Sequence, residues 1–251
     1  MIAGSSVEII PILNDNYVFA ILNAERTEAL IVDPGDAAPV LKWIKEKNVK
    51  VVGILLTHHH NDHIGGALEL KTRYDAAIYA PHKNKLQIRF ADIYVSQGQT
   101  YKINSFHFEV DELPGHTLGH IAYWFKQEHW LFSGDVLFGL GCGRLFEGTP
   151  EQMYNSLQKI KNLPIDTKVF CTHEYTETNL KFCYQLKEQK DFKNYFNWDE
   201  VLQYETKLKA RRQLKQPSVP LQLDIENKVN PFMRAGNIEQ FTFIRNLRST
   251  F

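Results

Sequence analysis

The sequence predicts a mixed α/β protein, with sheets covered by helices, that ends in a small all-helical region. Two observations support this prediction. Short apolar runs of strand length alternate with helical apolar spacing up to residue 173, and helical patterns replace them from residue 174 onward. We therefore expect two domains, residues 1–173 and residues 174–251.

Composition limits the classes of function. The 251 residues are 43% hydrophobic and 23% charged, which is typical of a folded protein with a sizeable core. Lysine plus arginine and aspartate plus glutamate both number 29, so no net positive field favours nucleic acid. No apolar run reaches membrane-spanning length. We expect a monomer that acts on a small molecule, without a nucleic-acid or membrane partner.

The cysteines and the first residues indicate the compartment. Cys142, Cys171 and Cys183 are odd in number, widely spaced and form no Cys-x-x-Cys pair, which argues against a secreted disulfide framework. The segment Met1–Glu8 lacks the basic start and the apolar core of a signal peptide. We expect a cytoplasmic protein.

The predicted strands and helices follow in order along the first two thirds of the chain. Three short runs form an opening meander: Val7–Ile12, Tyr17–Leu22 and Ala29–Val32. Apolar spacing then predicts a helix over Ala38–Asn48, and the continuous apolar run Val49–Leu56 predicts a buried strand. The same rhythm continues through Gly65–Tyr74, Ala76–Ala80, His107–Leu113, Ile121–Phe125 and Trp130–Phe132.

The C-terminal region is predicted to be helical, without convincing strands. Helical spacing occurs over Leu180–Leu186 and Asp199–Glu205, with Asp199 as the expected N-cap. The segment Gln216–Met233 is rich in proline and asparagine and predicts an ordered loop or arm. A last helix is expected to begin near Asn237.

Four potential metal ligands lie within six residues: His58, His60, Asp62 and His63. They directly follow the run Val49–Leu56, which puts them in a strand-to-helix loop. Side chains two apart in such a loop can turn to the same side, so His58 and His60 could share one ion. Asp62 and His63 would then face another. Clustered imidazoles gain from burial only when something coordinates or hydrogen-bonds them, so the cluster predicts metal binding.

Further donors are expected, because one ion takes about four ligands and a two-metal site also needs a shared anion. Three candidates each follow an apolar run downstream: His116, Asp135 and His173. Strand-end loops at one edge of a sheet sandwich would bring them together. Taken alone, His116 would be a turn histidine, Asp135 a turn cap and His173 a helix-start residue. The first cluster favours metal binding for all three.

The other histidines are expected to serve elsewhere. His59 is expected beside the site or at the surface, and His82, His107 and His129 in loop, strand and turn positions. His120 is expected to pack or to orient a ligand.

The motifs resemble those of the metallo-β-lactamase superfamily. They are Thr-His-x-His-x-Asp-His at 57–63, Gly-His-Thr-x-Gly-His at 115–120, Ser-Gly-Asp at 133–135 and Thr-His-Glu-Tyr at 172–175. More narrowly, the chain resembles the glyoxalase II family over Gly141–Thr149, Asn179–Phe182, Asn230–Arg234 and Arg245-x-x-Arg248. The resemblance spans nearly the whole chain. It implies a four-layer αββα catalytic sandwich over residues 1–173 and a small all-α domain over residues 174–251 that helps hold glutathione.

The resemblance implies a dinuclear metal site. The implied ligands are His58, His60 and His116 for metal one, and Asp62, His63 and His173 for metal two, with Asp135 bridging both. Zinc is the expected metal, and iron or manganese would also suit histidine and carboxylate ligands.

The resemblance also implies the substrate contacts. These are Arg144, Tyr175, Arg245 and Arg248 for glutathione, with Cys142 and Gly143 lining the path. Phe146 stands where the family commonly has tyrosine, which removes a phenol hydrogen bond. Arg144 and Arg248 stand where lysine is frequent, which keeps the charge but changes the geometry of carboxylate binding. By spacing alone, Arg245 and Arg248 could equally lie on a solvated face of the last helix.

The resemblance implies hydrolysis of S-D-lactoylglutathione to D-lactate and glutathione, the second step of methylglyoxal detoxification. Metal coordination lowers the pKa of water from about 16 to about 7, so a metal-bridging hydroxide is the expected nucleophile. Asp62 and Asp135 would position it, and no serine or cysteine nucleophile is needed.

Three other interpretations compete. The first is another hydrolase on the same scaffold, such as a β-lactamase, lactonase or nuclease; Asp135, where a cysteine might bind, argues against one β-lactamase class. The second is a sulfur-oxidising oxygenase with one iron, which needs fewer ligands and no helical tail. The third is a structural metal site with a closed coordination shell. Metal content measured together with thioester hydrolysis separates them.

Overall fold

The computed structural model describes residues 4–192 and 195–251, which form two compact units. The first unit comprises the residues up to Glu112 together with Gly119–Gly134. The second comprises Leu113–Leu118 together with Asp135–Phe251. The predicted division between residues 173 and 174 stays a prediction.

The first unit begins with a six-stranded sheet in the order β1-β2-β3-β4-β5-β6. Its strands are Ser6–Ile12 (β1), Asn16–Leu22 (β2), Glu28–Val32 (β3), Lys50–Leu55 (β4), Ile78–Pro81 (β5) and Ile93–Val95 (β6). The first three pair antiparallel, and β3 to β6 pair parallel. The predicted opening meander and the buried strand that follows it are confirmed.

Four further strands of this unit pair antiparallel in the order β10-β9-β8-β7. They are Thr100–Ile103 (β7), Phe106–Glu112 (β8), Ile121–Phe125 (β9) and Trp130–Gly134 (β10). Phe19 of β2 lies against Phe132 of β10, with ring centroids 5.6 Å apart. The Tyr123 hydroxyl on β9 donates to the Leu56 carbonyl at 2.9 Å. The two sets of strands therefore pack face to face around an apolar interior.

Helices cover the other face of the six-stranded sheet. They are Ala37–Lys47 (α1), Asn61–Ile64 (α2) and Ala67–Tyr74 (α3), and a short 3-10 turn follows at His82–Asn84. Asp36 caps α1 by accepting from the Ala38 N–H. Val40 and Ile44 of α1 and Leu70 of α3 belong to one buried cluster with the strands. This packing fixes the end of β4, where the histidine-rich loop begins.

The second unit contains two strand pairs and most of the helices. The antiparallel pairs are Leu137–Phe138 (β11) with Gly141–Cys142 (β12), and Lys168–Cys171 (β13) with Leu221–Gln222 (β14). The helices are Pro150–Lys161 (α4), Thr176–Lys187 (α5), Trp198–Gln213 (α6), Leu223–Val229 (α7), Pro231–Arg234 (α8) and Ile238–Ser249 (α9). The last helix begins where the sequence predicts, with Asn237 as its cap.

Two expectations for the C-terminal region were wrong. The N-cap of α6 is Asn197, whose side chain accepts from the Asp199 N–H at 3.2 Å. Asp199 lies in the first turn, where its charge favours the helix dipole. The segment Gln216–Met233 holds β14, α7 and part of α8 instead of a loop. Asn230 caps α8 and Pro231 takes the first helical position, so these residues mark a helix start.

Over residues 4–192 and 195–251, no helix is both long enough and apolar enough to span a membrane.

Candidate metal centre

Four of the predicted ligands lie at the end of β4, all in the first unit: His58 and His60 in the loop after the strand, and Asp62 and His63 in the short helix α2. The strand ends at Leu55, one residue before the predicted end, and the expected loop is interrupted by α2, which begins at Asn61 and was not predicted. His58 and His63 are fully buried, whereas His60 and Asp62 are partly exposed. The segment 58–63 therefore presents two buried ligands and two partly exposed ones.

The spacing of these donors fits metal coordination. Nε2 of His58 lies 3.0 Å from Nδ1 of His60. Nε2 of His63 lies 3.6 Å from Oδ2 of Asp62. Zinc–nitrogen bonds of about 2.0–2.1 Å in a tetrahedron place neighbouring ligand atoms about 3.3 Å apart. Each pair has the spacing of two ligands on a shared ion.

Asp33, which directly follows β3, orients this segment through Thr57 and His63. It is buried, and its backbone has a φ of 50°. Its Oδ2 accepts from the Thr57 hydroxyl at 2.6 Å and lies 3.0 Å from Nδ1 of His63. A carboxylate accepts the proton of that nitrogen, which leaves Nε2 of His63 for a metal. The available signal was an aspartate directly after a buried strand, at Val32-Asp33-Pro34.

The neighbouring histidines support the loop. The His120 ring stacks on the His58 ring, with centroids 4.7 Å apart. His59 lies outside this stack, and its Nδ1 is 3.1 Å from the Asn84 side-chain nitrogen. His82 and His107 are exposed, and His129 stacks on Trp124. His59 and His120 therefore lie beside the cluster. His82, His107 and His129 lie in a 3-10 turn, a strand and a turn, and none of the three was expected to be a ligand.

The other three predicted ligands lie together in the second unit. His116, Asp135 and His173 are each at least 94% buried, with exposed fractions of 4%, 5% and 6%. Oδ2 of Asp135 lies 3.3 Å from Nε2 of His116 and 3.4 Å from Nε2 of His173. Both distances match the ligand spacing on a tetrahedral ion. A single carboxylate oxygen between two imidazoles is suited to bridging two ions.

Neighbouring groups fix the two histidine rings. Nδ1 of His116 donates to the Arg144 carbonyl at 2.8 Å, which leaves Nε2 directed at Asp135. The Tyr175 ring stacks on His173, with centroids 4.6 Å apart and an interplanar angle of 5°. Phe138 meets the His173 ring edge-on at 5.9 Å.

The donors fit a divalent metal. The described residues include groups of histidine and aspartate that could hold an ion. Imidazole and carboxylate donors suit zinc, iron and manganese. Their unused ring nitrogens bond to a carboxylate at His63 and to a carbonyl at His116, which is the support that metal-binding histidines require.

The predicted substrate residues near β12 differ in exposure. Cys142 and Gly143 are buried, and Arg144 is exposed. The Arg144 guanidinium lies 5.3 Å from the centre of the Phe146 ring. Phe146 therefore holds this arginine by a cation–π contact instead of offering a hydroxyl.

The two C-terminal arginines are not on a solvated face. Arg245 is 6% exposed, and its Nη1 donates to the carbonyls of Cys142 at 3.0 Å and Gly143 at 3.3 Å. Arg248 is half-buried, and its Nη2 donates to Oδ1 of Asn179 at 3.2 Å. Burial lowers the pKa of Arg248 from its usual value, and the neighbouring Arg245 charge lowers it further. Arg245 therefore bonds to backbone carbonyls, whereas part of the Arg248 side chain is exposed to solvent.

Comparison with known proteins identifies the class. Residues 13–173 match the model of the metallo-beta-lactamase superfamily, and residues 174–250 match the hydroxyacylglutathione hydrolase C-terminus. The crystal structure of ETHE1 from Myxococcus xanthus has a similar fold, with a TM-score of 0.68 and 22% identity over 96% of this chain and 90% of that one. The predicted α/β sandwich with a helical C-terminal region is confirmed, and the chain belongs to the metallo-β-lactamase superfamily.

Closer relatives define the family. A hydroxyacylglutathione hydrolase of Bdellovibrio bacteriovorus is 51% identical over 97% of both chains. Another from Pelagibacter ubique is 41% identical over 98% of this chain and 99% of its own. The chain belongs to the hydroxyacylglutathione hydrolase family, glyoxalase II, within the metallo-β-lactamase superfamily.

Proposed function

We propose that the chain hydrolyses S-D-lactoylglutathione to D-lactate and glutathione, the second step of methylglyoxal detoxification. The observation that supports this most directly is the oxygen of Asp135 between His116 and His173. Membership of the hydroxyacylglutathione hydrolase family supports the choice of a glutathione thioester.

The proposed site binds two divalent ions, with zinc as the expected metal. The assigned ligands are His58, His60 and His116 for one ion, Asp62, His63 and His173 for the other, and Asp135 for both. Bound ions of this kind act as Lewis acids and lower the pKa of water to about 7. The number and the identity of the ions are part of the proposal.

The carboxylates Asp62 and Asp135 position the attacking water oxygen. Nδ2 of Asn16 donates to Oδ2 of Asp62 at 2.9 Å, which fixes the orientation of that carboxylate. The attacking oxygen forms a bond to the thioester carbon, and the carbon–sulfur bond breaks. Glutathione leaves as the thiolate; of the two protons of the attacking water, one ends on this thiolate and one is released to solvent, so the products are glutathione, D-lactate and one proton.

Residues 174–251, together with the segment 142–144, are proposed to bind the glutathione part of the substrate. Glutathione carries two carboxylates, which suit the cationic side chains of Arg144 and Arg248. Tyr175 is half-buried beside His173 and offers a hydroxyl close to the ligands. Arg245 supports Cys142 and Gly143 through their carbonyls.

We also infer a cytoplasmic monomer. The three cysteines support the location, because each is a buried free thiol and none forms a disulfide. Size-exclusion chromatography with light scattering tests the oligomeric state.

The deciding experiment compares substrates on one preparation. S-D-lactoylglutathione is assayed beside a lactam, a lactone and a phosphodiester, and the metals per chain are counted in the same sample. We expect hydrolysis of the thioester to dominate. A preparation that holds two ions per chain but leaves the thioester intact would refute the proposal, and a higher rate on another substrate would replace it.

A further inference from the structure

The hairpin of β11 and β12 lies directly between two parts of the candidate site. It begins after Asp135 and ends before Arg144, whose carbonyl accepts from His116. Residues 136–143 are all buried. An isolated two-stranded hairpin is only marginally stable, and its buried backbone groups need partners from elsewhere.

Asn230 and Glu226 supply these partners from the end of α7. Nδ2 of Asn230 donates to the carbonyls of Phe138 and Gly141, both at 3.0 Å. Oε2 of Glu226 accepts from the Leu140 N–H at 2.9 Å. Leu140 has a φ of 56°, so this bond holds the one residue of the turn in a left-handed conformation.

The two side chains also hold each other. Nδ2 of Asn230 lies 3.0 Å from Oε2 of Glu226, and the Tyr204 hydroxyl donates to Oε1 of Glu226 at 2.9 Å. Both Asn230 and Glu226 have 0% exposure. Burying a carboxylate costs several kcal/mol unless it is well bonded, so this network stabilises one defined position of the hairpin.

The ends of the hairpin are close together. The Gly143 N–H donates to the Val136 carbonyl at 3.1 Å. A Cβ atom at Gly143 would lie 2.0 Å from the Asp135 carbonyl oxygen, so only glycine fits there. Any displacement of the turn would therefore move Asp135 and the Arg144 carbonyl together.

We propose that Asn230 and Glu226 are positioning residues for the metal centre, acting through this hairpin on Asp135 and His116. The proposal rests on the proposed function, because it takes Asp135 and His116 as metal ligands. The Asn-Pro-Phe-Met-Arg segment at 230–234 would thus serve the metal site as well as the start of α8.

The test is Asn230→Asp, measured by metal affinity. Aspartate keeps the acceptor that caps α8 through the Phe232 N–H, but it removes the donor to the Phe138 and Gly141 carbonyls. Asn237→Asp is the matched control, because Asn237 caps α9 in the same way and is exposed. Zinc affinity is measured by chelator competition without substrate, and folding by circular dichroism.

We expect Asn230→Asp to bind zinc about 10–100-fold more weakly, as typical for groups that orient ligands, and Asn237→Asp to match the natural chain. Equal zinc affinity in all three proteins would overturn the proposal. If Asn230→Asp does not fold, Glu226→Asp decides instead: it keeps the charge but withdraws the acceptor from Leu140. Native zinc affinity in that variant would also overturn it.

The readout separates this proposal from the proposed function. Zinc affinity is measured without any thioester, so a chain that binds zinc normally but fails to hydrolyse the thioester contradicts only the function. Unchanged zinc affinity in a variant that has lost the hairpin bonds contradicts only the positioning role.

Discussion

Oδ2 of Asp135 lies 3.4 Å from Nε2 of His173, and both side chains are buried. The same oxygen lies 3.3 Å from Nε2 of His116. Two-metal hydrolytic sites hold their ions about 3.5–4 Å apart, a separation that one shared oxygen can span. This relationship makes Asp135 the first residue to test.

Replacing Asp135 with alanine should abolish turnover through loss of metal. Metal ions stabilise transition-state charge by several kcal/mol, and about 4 kcal/mol corresponds to about 10³-fold in kcat. Metals per chain are counted by elemental analysis beside the thioester assay. Asp199→Ala, an exposed position in α6, is the control. An Asp135→Ala protein with two ions and a near-native rate would exclude the bridging role.

Replacing Asp33 with asparagine should weaken metal binding by about 10–100-fold, because the amide loses the charge that orients His63. Asparagine tolerates the φ of 50° at this position, so the backbone should not change. Asp75→Asn is the matched control, since Asp75 is exposed and has a φ of 53°. Zinc competition measures the effect. If both variants keep native affinity, Asp33 only holds the turn.

Replacing Arg248 with alanine should raise KM for glutathione thioesters about 10–100-fold, with kcat within about twofold. A charge-assisted hydrogen bond contributes about 1.5–3 kcal/mol, and its loss in both ground and transition states raises KM alone. Steady-state kinetics provide the measurement, with the exposed Arg89→Ala as control. An unchanged KM would assign Arg248 to the bond with Asn179 only.

The free energy of unfolding should fall as the pH rises, because of Glu226. Burial raises its pKa from 4.5 to about 7, while hydrogen bonds from Leu140, Asn230 and Tyr204 act in the opposite direction. The folded chain therefore binds this proton more tightly than the unfolded chain. The contribution is full below pH 4.5 and is lost as the pH rises to about 7, a change of about 3 kcal/mol.

The measurement is urea unfolding of the metal-free protein at pH 5 and pH 8. Glu226→Gln should remove this part of the pH dependence, because glutamine does not titrate. The titratable groups facing Glu226 are Tyr204, Cys171 and Cys183, and burial raises the pKa of each above the window. If the free energy of unfolding changes by the same amount between pH 5 and pH 8 in both proteins, Glu226 titrates outside this range.

Contiguous residues made much of the site predictable. His58, His60, Asp62 and His63 follow one strand within six residues, so their spacing alone indicated a metal. Asp33 gave no such signal, because a single aspartate in a Pro-Gly turn is usually structural. Its role depends on a bond to His63, 30 positions away.

In the C-terminal segment, local composition gave a wrong prediction. Proline and asparagine between Gln216 and Met233 suggested a loop, but Asn230 and Pro231 begin α8. Both residue types occur in turns and at helix starts, so local composition does not distinguish the two. The burial of Glu226 and Asn230 distinguishes them, because buried polar groups must find partners.

The sequence by itself determined the donor chemistry, the order of the strands and helices in the first unit and the family, because these depend on residue type and local spacing. Only the tertiary structure decided which ring nitrogen of His63 and His116 donates to an oxygen acceptor, that Asp33 orients His63, and that Arg245 bonds backbone carbonyls instead of solvent. Hydrogen bonds depend on distances of a few tenths of an ångström between residues far apart in the chain, and packing alone sets those distances.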